Sequence, residues 1–301
     1  VGEANGVSAD EADHWVAEDE GTFNMIFQFE HLNLWNYEEE QGFDVKAYKD
    51  VLTNWQNSLE GKGWNALFIE NHDIPRVTST WGNDKEYLKE CATAFGLMYF
   101  MQQGTPFIYQ GQEIGMTNVK FDSIYDYNDV KGINIYKEKV EQGLSGEEAL
   151  KYVWAVSRDN SRTPMQWDSS ENSGFTTGKP WIKINKNHKY INVKDQLKDE
   201  NSILNFYKKM INIRKENKTL IYGSYDLILE DHEKIYAYTR IMREEEFVII
   251  VNLSHDNVKY SYDINLHSDG LLLSNYNVEK HALLTEFDLR PYEARIYKVI
   301  K

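Results

Sequence analysis

Four short apolar segments near the start of the chain each run into polar or acidic side chains. They are VGE at 1–3, FNMIFQFEH at 23–31, WNALFIENHD at 64–73 and TPFIYQGQE at 105–113. Buried parallel strands read as continuous apolar runs, because both faces of their sheet are covered, and polar residues follow where such a strand opens onto a site. We therefore predict four parallel strands at these positions.

Helical patterns alternate with the predicted strands. Apolar side chains recur at helical spacing in Asp44–Leu59 and Asp84–Gln102, and this alternation of strand and helix predicts parallel β/α units. A long insertion follows at 114–198, with a predicted helix near Tyr136–Trp154 and then a polar loop region. A connection of this length is usually functional. The amphipathic helix predicted at Ser202–Asn217 would close the series.

The hydrophobic period changes near Gly223. Short alternating runs separated by Asp, Asn, His, Gly or Pro are typical of a small antiparallel β domain. The runs are Tyr225–Leu229, Ile235–Arg243, Phe247–Asn252, Lys259–Tyr262, Gly270–Leu273 and Ala294–Val299, and the segment Arg243–Glu246 predicts a hairpin turn. We expect one domain at residues 1–222, which contains the insertion, and a second at 223–301.

Composition narrows the class of partner. The chain has 301 residues, a net charge of −15 and 41% hydrophobic residues, with a pI near 5.0, as in a globular protein that repels polyanions. We find no basic stripe and no apolar run of the ~20 residues that a membrane-spanning helix needs. The expected partner is a neutral small molecule, with no nucleic acid and no membrane.

Cysteine usage and the first residues bear on the compartment. A single cysteine, Cys91, lies in an apolar run and cannot form an intrachain disulfide, which favours a reducing, cytoplasmic compartment. The start, VGEANGV, has no initiator Met, no charged segment and no apolar core of a signal peptide. We expect the chain to be a piece of a longer protein.

Metal and phosphate chemistry have little support in the sequence. The eight histidines are scattered without a His-x-x-x-His pair, no acidic calcium loop is present, and one cysteine cannot build a zinc site. The glycines in Gln103–Pro106 and Gln110–Gln112 have the wrong spacing for a phosphate cradle. We predict no metal and no cofactor.

Two groups of carboxylates follow the predicted strands. Glu3 comes at the end of the first strand, where an acidic residue is more often a solvated turn residue, although active sites of parallel β/α barrels form at such ends. The cluster Glu70–Arg76 can be a polar surface loop. It also places His72 beside Asp73, a pair suited to hold vicinal sugar hydroxyls, with Arg76 able to keep a carboxylate ionised.

A third polar segment, SRDNSRTPMQWD at 157–168, reads by itself as a well-paired surface loop. Glycosidases need two carboxyl groups that flank the scissile bond, ~5 Å apart when the reaction retains configuration. Glu3 and Asp73 follow different predicted strands, so they can converge in space.

These motifs together resemble the α-amylase superfamily, glycoside hydrolase family 13. FIENHDIPR at 68–76 resembles its Asn-His-Asp motif after the seventh barrel strand, and VGEA at 1–4 resembles the segment that carries its general acid/base. TPFIYQGQEIGM at 105–116 is similar to the eighth-strand segment. The segment 157–168 is similar to one typical of the oligo-1,6-glucosidase branch, which Glu70 before Asn71 also favours over trehalose-6-phosphate hydrolases and dextran glucosidases.

The resemblance implies a fold and a function. The fold would be the C-terminal half of a (β/α)8 TIM barrel followed by a small antiparallel β-sandwich domain. The complete enzyme would be a retaining α-glucosidase that hydrolyses α-1,6 bonds, or α-1,4 bonds, at the non-reducing end of short oligosaccharides. Its site would contain Glu3 as acid/base, Asp73 and His72 on the sugar hydroxyls, and pocket-lining Arg158, Arg162, Gln28 and Phe29.

The same resemblance implies that a part is missing. In this family the nucleophilic Asp follows the fourth strand, before position 1 here, so we expect the chain alone to be inactive. Open parallel edges of a half barrel favour self-association. The alternatives are a catalytically silent, transporter-associated binding relative and, among enzymes, a sucrose isomerase, a trehalose-6-phosphate hydrolase or a transglucosylase.

Overall fold

The computed structural model describes residues 1–35, 43–262, 267–278 and 284–300. The strands are β1 Gly2–Ala4, β2 Ile26–Gln28, β3 Ala66–Leu67, β4 Thr105–Pro106, β5 Ser224–Ile228, β6 Ile235–Met242, β7 Glu245–Asn252, β8 Val258–Ser261, β9 His267–Ser274, β10 Glu286–Leu289 and β11 Ala294–Ile300. The α-helices are α1 Ala12–Val16, α2 Val45–Leu59, α3 Val77–Thr80, α4 Leu88–Phe100, α5 Val130–Glu141, α6 Gly146–Val156, α7 Asp159–Arg162, α8 Val193–Gln196, α9 Ile203–Glu216 and α10 Thr219–Tyr222. The 3₁₀ turns are Ala9–Glu11, Glu30–Leu34, Gln112–Ile114, Ile124–Asp126, Glu171–Gly174 and Lys186–Lys189.

The first four strands confirm the predicted parallel β/α arrangement. β1 pairs with β2, and β3 pairs with β4, both in parallel. Helix α2 follows β2, α4 follows β3, and α9 comes after β4 and the insertion. The hydrogen-bonded strands span only two or three residues each. This architecture is the C-terminal part of a TIM barrel.

Helix α2 forms where its apolar period predicted it. The Asp44 side chain caps its start by accepting a hydrogen bond from the Ala47 amide at 2.9 Å. Its buried face carries Tyr48, Leu52 and Trp55 at helical spacing. Helix α4 differs, because every residue from Cys91 to Phe100 is buried. It therefore lies between other elements on all sides, as a core helix does.

The part of the insertion where the sequence predicted one helix, near Tyr136–Trp154, contains parts of two helices. Helix α5 ends at Glu141, and α6 begins at Gly146. Between them Gly143 has a φ of +97°, a left-handed conformation that suits glycine and ends a helix. Ser145 then caps α6 in a capping box with Glu148. The prediction of a single helix over Tyr136–Trp154 is wrong because these stop and start signals outweigh its apolar period.

The C-terminal region is an antiparallel sandwich. Its main sheet has the order β5-β6-β7-β11-β9, and β8 pairs with β10 in a second sheet. The hairpin turn predicted near Arg243 is confirmed: Met242 pairs with Glu245, and Arg243 has a φ of +59°. Strand β10 was not predicted from the sequence. Its four residues alternate between exposed and buried, a signal too short to read alone.

The main sheet is buried on both faces. Tyr236 and Tyr238 belong to the large core that includes helix α4, and the Tyr238 hydroxyl donates to the Met98 carbonyl at 2.7 Å. The intervening Ile235 and Ala237 lie in a second core with residues of β8 and β10. The alternation predicted for Ile235–Arg243 and Phe247–Asn252 is therefore incomplete, because side chains on both faces of β6 and β7 are buried.

A buried lysine joins the barrel region to the C-terminal sandwich. The Lys49 ammonium of α2 donates to the carbonyls of Leu229 and His232 at 2.8 and 2.7 Å. Burial lowers its pKa to about 8. Both carbonyls lie in the turn between β5 and β6. The contact therefore holds this end of the main sheet against helix α2.

No helix among the described residues is long and apolar enough to cross a membrane. In the same part of the chain, no group of three or more His, Cys, Asp or Glu side chains is arranged to hold a metal ion.

Candidate active site

The ends of the four parallel strands border one cavity of about 230 Å³. Glu3 reaches it from β1, where it is paired in register with Phe27 of β2. Its side chain is solvent-exposed, so the carboxylate is accessible to a ligand in the cavity. The complete lining is Glu3, Phe27, Phe29, Phe68, Glu70, Asn71, His72, Phe107, Ile108 and Tyr109.

Aromatic rings form one wall of this cavity. The Phe27 ring meets Phe68 edge-on at 5.2 Å between centroids and Phe107 at 4.6 Å. Phe29 lies 5.9 Å from Phe68. Edge-to-face packing of this kind fixes the rings and leaves apolar faces for a ligand. Phe29 therefore lies on the cavity wall.

The loop after β3 presents a sharply turned Asn-His-Asp segment. The Asn71 side-chain oxygen accepts a hydrogen bond from the Asp73 amide at 2.8 Å, a local turn that Asn favours. The His72 Nε2 atom lies 3.4 Å from Asp73 Oδ2, and both side chains are partly exposed. His72 lines the same cavity as Glu3, and Asp73 is its chain neighbour.

Two arginines converge on Asp73. Arg162 Nη2 lies 2.6 Å from Asp73 Oδ1, and its Nε donates to the His72 carbonyl at 2.8 Å. Arg158 Nη1 is 3.5 Å from the same oxygen. The sequence had placed Arg158 and Arg162 on the pocket wall. In the structure they contact the carboxylate instead, and charge-assisted bonds of this kind fix its orientation.

Arg76 holds a different carboxylate. Its Nη1 lies 3.0 Å from Glu70 Oε2, with both side chains buried, and Glu70 Oε1 accepts from the Val77 amide at 2.8 Å. Burial raises the pKa of Glu70, and Arg76 and the Val77 amide offset part of that effect. Both Glu70 oxygens are thereby engaged inside the protein.

Three side-chain donors meet at the Ser161 carbonyl. They are Tyr109 at 3.1 Å, Gln110 at 3.3 Å and Arg76 at 3.3 Å. These bonds tie the segment before Arg162 to the end of the fourth strand. Tyr109 was not among the predicted site residues, although it is an aromatic residue at the end of the apolar run in the segment 105–113.

Gln28 does not line the cavity. It is buried, its amide oxygen accepts from the Glu30 amide at 2.8 Å, and its Nε2 lies 2.9 Å from His31 Nδ1. The amide is thus used to fix the turn after β2. Its placement on the pocket wall therefore has no support in the geometry.

Residues 1–223 match the family described as alpha amylase, catalytic domain. The chain is 50% identical to the probable oligo-1,6-glucosidase 3 of Bacillus subtilis (strain 168) over 298 residues, 99% of this chain and 54% of the relative. It resembles the crystal structure of Bacillus licheniformis trehalose-6-phosphate hydrolase, with a TM-score of 0.92, 37% identity and coverage of 99% and 55%. It also resembles isomaltulose synthase from Erwinia rhapontici NX5, with a TM-score of 0.89, 35% identity and coverage of 98% and 54%.

The fold is a half β/α barrel with carboxylates at its strand ends, followed by an antiparallel sandwich. The chain belongs to the α-amylase family. It spans about half the length of the relatives that it matches.

Proposed function

We propose that this chain supplies the acid/base part of the active site of a retaining α-glucosidase. The whole enzyme would act on α-1,6-linked glucose at the non-reducing end of short oligosaccharides, with α-1,4 bonds as a second linkage. The observation that carries the proposal is that Glu3 and His72 line one cavity while the adjacent Asp73 is paired with two arginines.

Each side chain has a role in this reaction. Glu3 donates a proton to the leaving oxygen and later removes one from the attacking water. Asp73 and His72 hold hydroxyls of the distorted glucose and stabilise the positive charge that develops on its ring. The aromatic wall packs against the apolar faces of the sugar and excludes water.

The nucleophile has to come from residues outside this chain. Retaining enzymes need a second carboxylate about 5 Å from the acid/base. Glu70 is the other carboxylate on the cavity lining, and its oxygens are engaged by Arg76 and the Val77 amide. The resemblance places the nucleophile before position 1. The 301 residues alone are therefore expected to be inactive.

The cavity lining favours a neutral sugar. In the described part of the chain it contains no lysine or arginine, whereas a sugar phosphate is bound best by cations. The overall charge of −15 points the same way. This supports an oligo-1,6-glucosidase over a trehalose-6-phosphate hydrolase.

A second candidate within the same chemistry is an isomerising enzyme. The likeness to isomaltulose synthase at 35% identity favours it, because the same residues can pass the glucosyl group to a sugar hydroxyl instead of water. A catalytically silent binding relative is disfavoured by the presence of Glu3, His72 and Asp73 together.

The test compares the purified chain with an assembled enzyme. The chain is assayed on p-nitrophenyl α-glucoside alone and after joining to the part of the Bacillus subtilis relative that lies outside the match. We expect no release from the chain alone, and glucose from isomaltose with the assembly. Isomaltulose from sucrose would support the second candidate. Sugar binding without any turnover by the assembly would contradict the proposal and favour the silent relative.

The open edges of the half barrel favour self-association of the isolated chain. In the described residues β1 pairs only with β2, and β4 only with β3, and unpaired strand edges are templates for pairing with another chain. Sedimentation is expected to show dimers or larger species whose proportion falls when the missing part is supplied. A strictly monomeric isolated chain would contradict this.

A further inference from the structure

Arg158 links the Asp73 carboxylate to a second, buried carboxylate outside the cavity. Its Nε lies 2.8 Å from Asp129 Oδ1, while its Nη1 lies 3.5 Å from Asp73 Oδ1. The Asp129 side chain is fully buried, and that of Arg158 is one-third exposed. The guanidinium is therefore held on its buried side, and its outer nitrogen points to the site.

Asp129 is itself fixed by the start of helix α5. It caps that helix, its side chain accepting hydrogen bonds from the Lys131 amide at 3.2 Å and the Gly132 amide at 3.3 Å. The Arg158 amide also donates to Asp129 Oδ2 at 2.9 Å. With these bonds made, the carboxylate presents one orientation to the Arg158 guanidinium.

The contact is reciprocal. The Asp159 carboxylate accepts from the Asn128 amide at 2.6 Å and from the Asp129 amide at 3.1 Å. Each of the two segments thus offers a buried carboxylate to the backbone of the other. Positions 128–129 and 158–159 are joined as one unit, although they lie about 30 positions apart in the chain.

Electrostatics agree with this geometry. Burial would raise the pKa of Asp129, yet hydrogen bonds and charge from Arg158 hold it below its ordinary value. The hydrogen bond to Asp129 is also the largest cause that raises the pKa of Arg158. Both groups stay charged at neutral pH, so the pair persists.

We propose that Asp129 is a positioning residue of the α-glucosidase site, which orients Arg158 so that its guanidinium supports Asp73. This rests on the proposed function, because only there does Asp73 contact substrate. The insertion thereby contributes to catalysis through a helix cap. A change at the start of helix α5 would therefore alter the orientation of the Asp73 carboxylate.

The variant Asp129→Asn separates capping from positioning. Asn caps helices about as well as Asp. Its side chain, however, presents either an NH2 group or an uncharged oxygen to the Arg158 guanidinium, so the charged contact is lost. The matched control is Ser145→Ala, which removes the cap of the neighbouring helix α6 without a contact to Arg158. If Asp129→Asn does not fold, Arg158→Lys removes the Nε donor from the other side of the contact.

The first readout needs no activity. In the ¹⁵N spectrum of the full 301-residue chain, the Arg158 Nε–H resonance is expected to exchange slowly, because it is bonded to a buried carboxylate. Asp129→Asn should broaden it or speed its exchange with water at least tenfold, while Ser145→Ala leaves it unchanged. An unchanged resonance in Asp129→Asn overturns the proposal.

The second readout uses the assembled enzyme and isomaltose. Asp129→Asn should lower kcat/KM at least tenfold, mainly through kcat, and Ser145→Ala should stay within twofold. In an Arg158→Ala background the effect of Asp129→Asn should shrink below twofold, since it acts through Arg158. Equal effects in both backgrounds, or full activity with an altered Nε–H signal, overturn the proposal. A wild-type assembly without activity refutes the proposed function instead, and the spectrum still decides whether Asp129 orients Arg158.

Discussion

Arg162 contacts two consecutive residues of the loop after β3 with one guanidinium. Its Nη2 lies 2.6 Å from Asp73 Oδ1, and its Nε donates to the His72 carbonyl at 2.8 Å. Both the side chain of Asp73 and the backbone that carries it are therefore fixed by the same planar group. The residues lie 89 positions apart in the chain, so this contact exists only in the folded protein.

The variant Arg162→Lys should impair the assembled enzyme. Lysine keeps the charge but cannot reproduce two donors in a fixed plane. A hydrogen bond to a charged group contributes roughly 1.5–3 kcal/mol, which corresponds to a fall of about 10- to 100-fold in kcat/KM. Steady-state kinetics on isomaltose measure this. Arg243→Lys, in the exposed hairpin turn, is the control, and equal activities of the two variants would contradict the role of Arg162.

The variant Glu70→Gln should destabilise the fold. It leaves the Arg76 charge buried without its carboxylate, and breaking a buried pair in this way costs about 3–5 kcal/mol. Urea unfolding measures the loss. The matched control is Glu286→Gln, which breaks the exposed pair with Lys259 and should leave the midpoint nearly unchanged. Similar midpoints for both variants would show that the Arg76 charge is compensated by other groups.

The stability of the folded chain should depend on pH through His31. Burial lowers the pKa of His31 to about 3. Gln28 Nε2 can only donate, so the facing His31 Nδ1 has to accept and has no room for a proton. The unfolded chain takes up that proton below about pH 6.5. The contribution of neutral His31 to the free energy of unfolding is therefore fully present above about pH 6.5. It is lost as the pH falls from 6.5 towards 3.

Urea unfolding at pH 6.5 and pH 5 tests this prediction. Over these 1.5 units His31 should account for a loss of about 2 kcal/mol. In His31→Gln that part of the pH dependence should disappear, while the exposed His14→Gln should behave as the unmodified chain does. An identical pH dependence in all three proteins would show that His31 does not titrate in this way.

Much of the fold could be predicted from local pattern. Helix α2 lies where its apolar spacing predicted it, and the four parallel strands lie at the predicted positions. Their lengths could not be predicted, because the point where a buried strand leaves its ladder depends on the neighbouring strand. The break at Gly143 has a local signal, because Gly143 is followed two positions later by Ser145, which caps helix α6.

The site was predictable only in part. Glu3, His72 and Phe29 border one cavity, and their roles in it stay predictions. The partners of Arg158 and Arg162 were not predictable, since ion pairs that join residues 85 and 89 positions apart leave no local pattern. Asp129 was not among the predicted site residues, because its contact with Arg158 joins positions 29 apart in the chain. The resemblance implied that Gln28 lines the wall, whereas its side chain turns back to the 3₁₀ turn at Glu30–Leu34.

The most direct test of Glu3 as the acid compares the activity of the variant Glu3→Gln on substrates with different leaving groups. If Glu3 protonates the departing oxygen, the assembled enzyme should lose about 10²–10⁴-fold of kcat/KM on isomaltose. It should lose far less on p-nitrophenyl α-glucoside, whose leaving group needs no proton. Glu18→Gln, an exposed residue outside the cavity, should match the unmodified enzyme on both substrates. Equal losses on both substrates, or a loss below tenfold on isomaltose, would contradict the assignment of Glu3 as the acid.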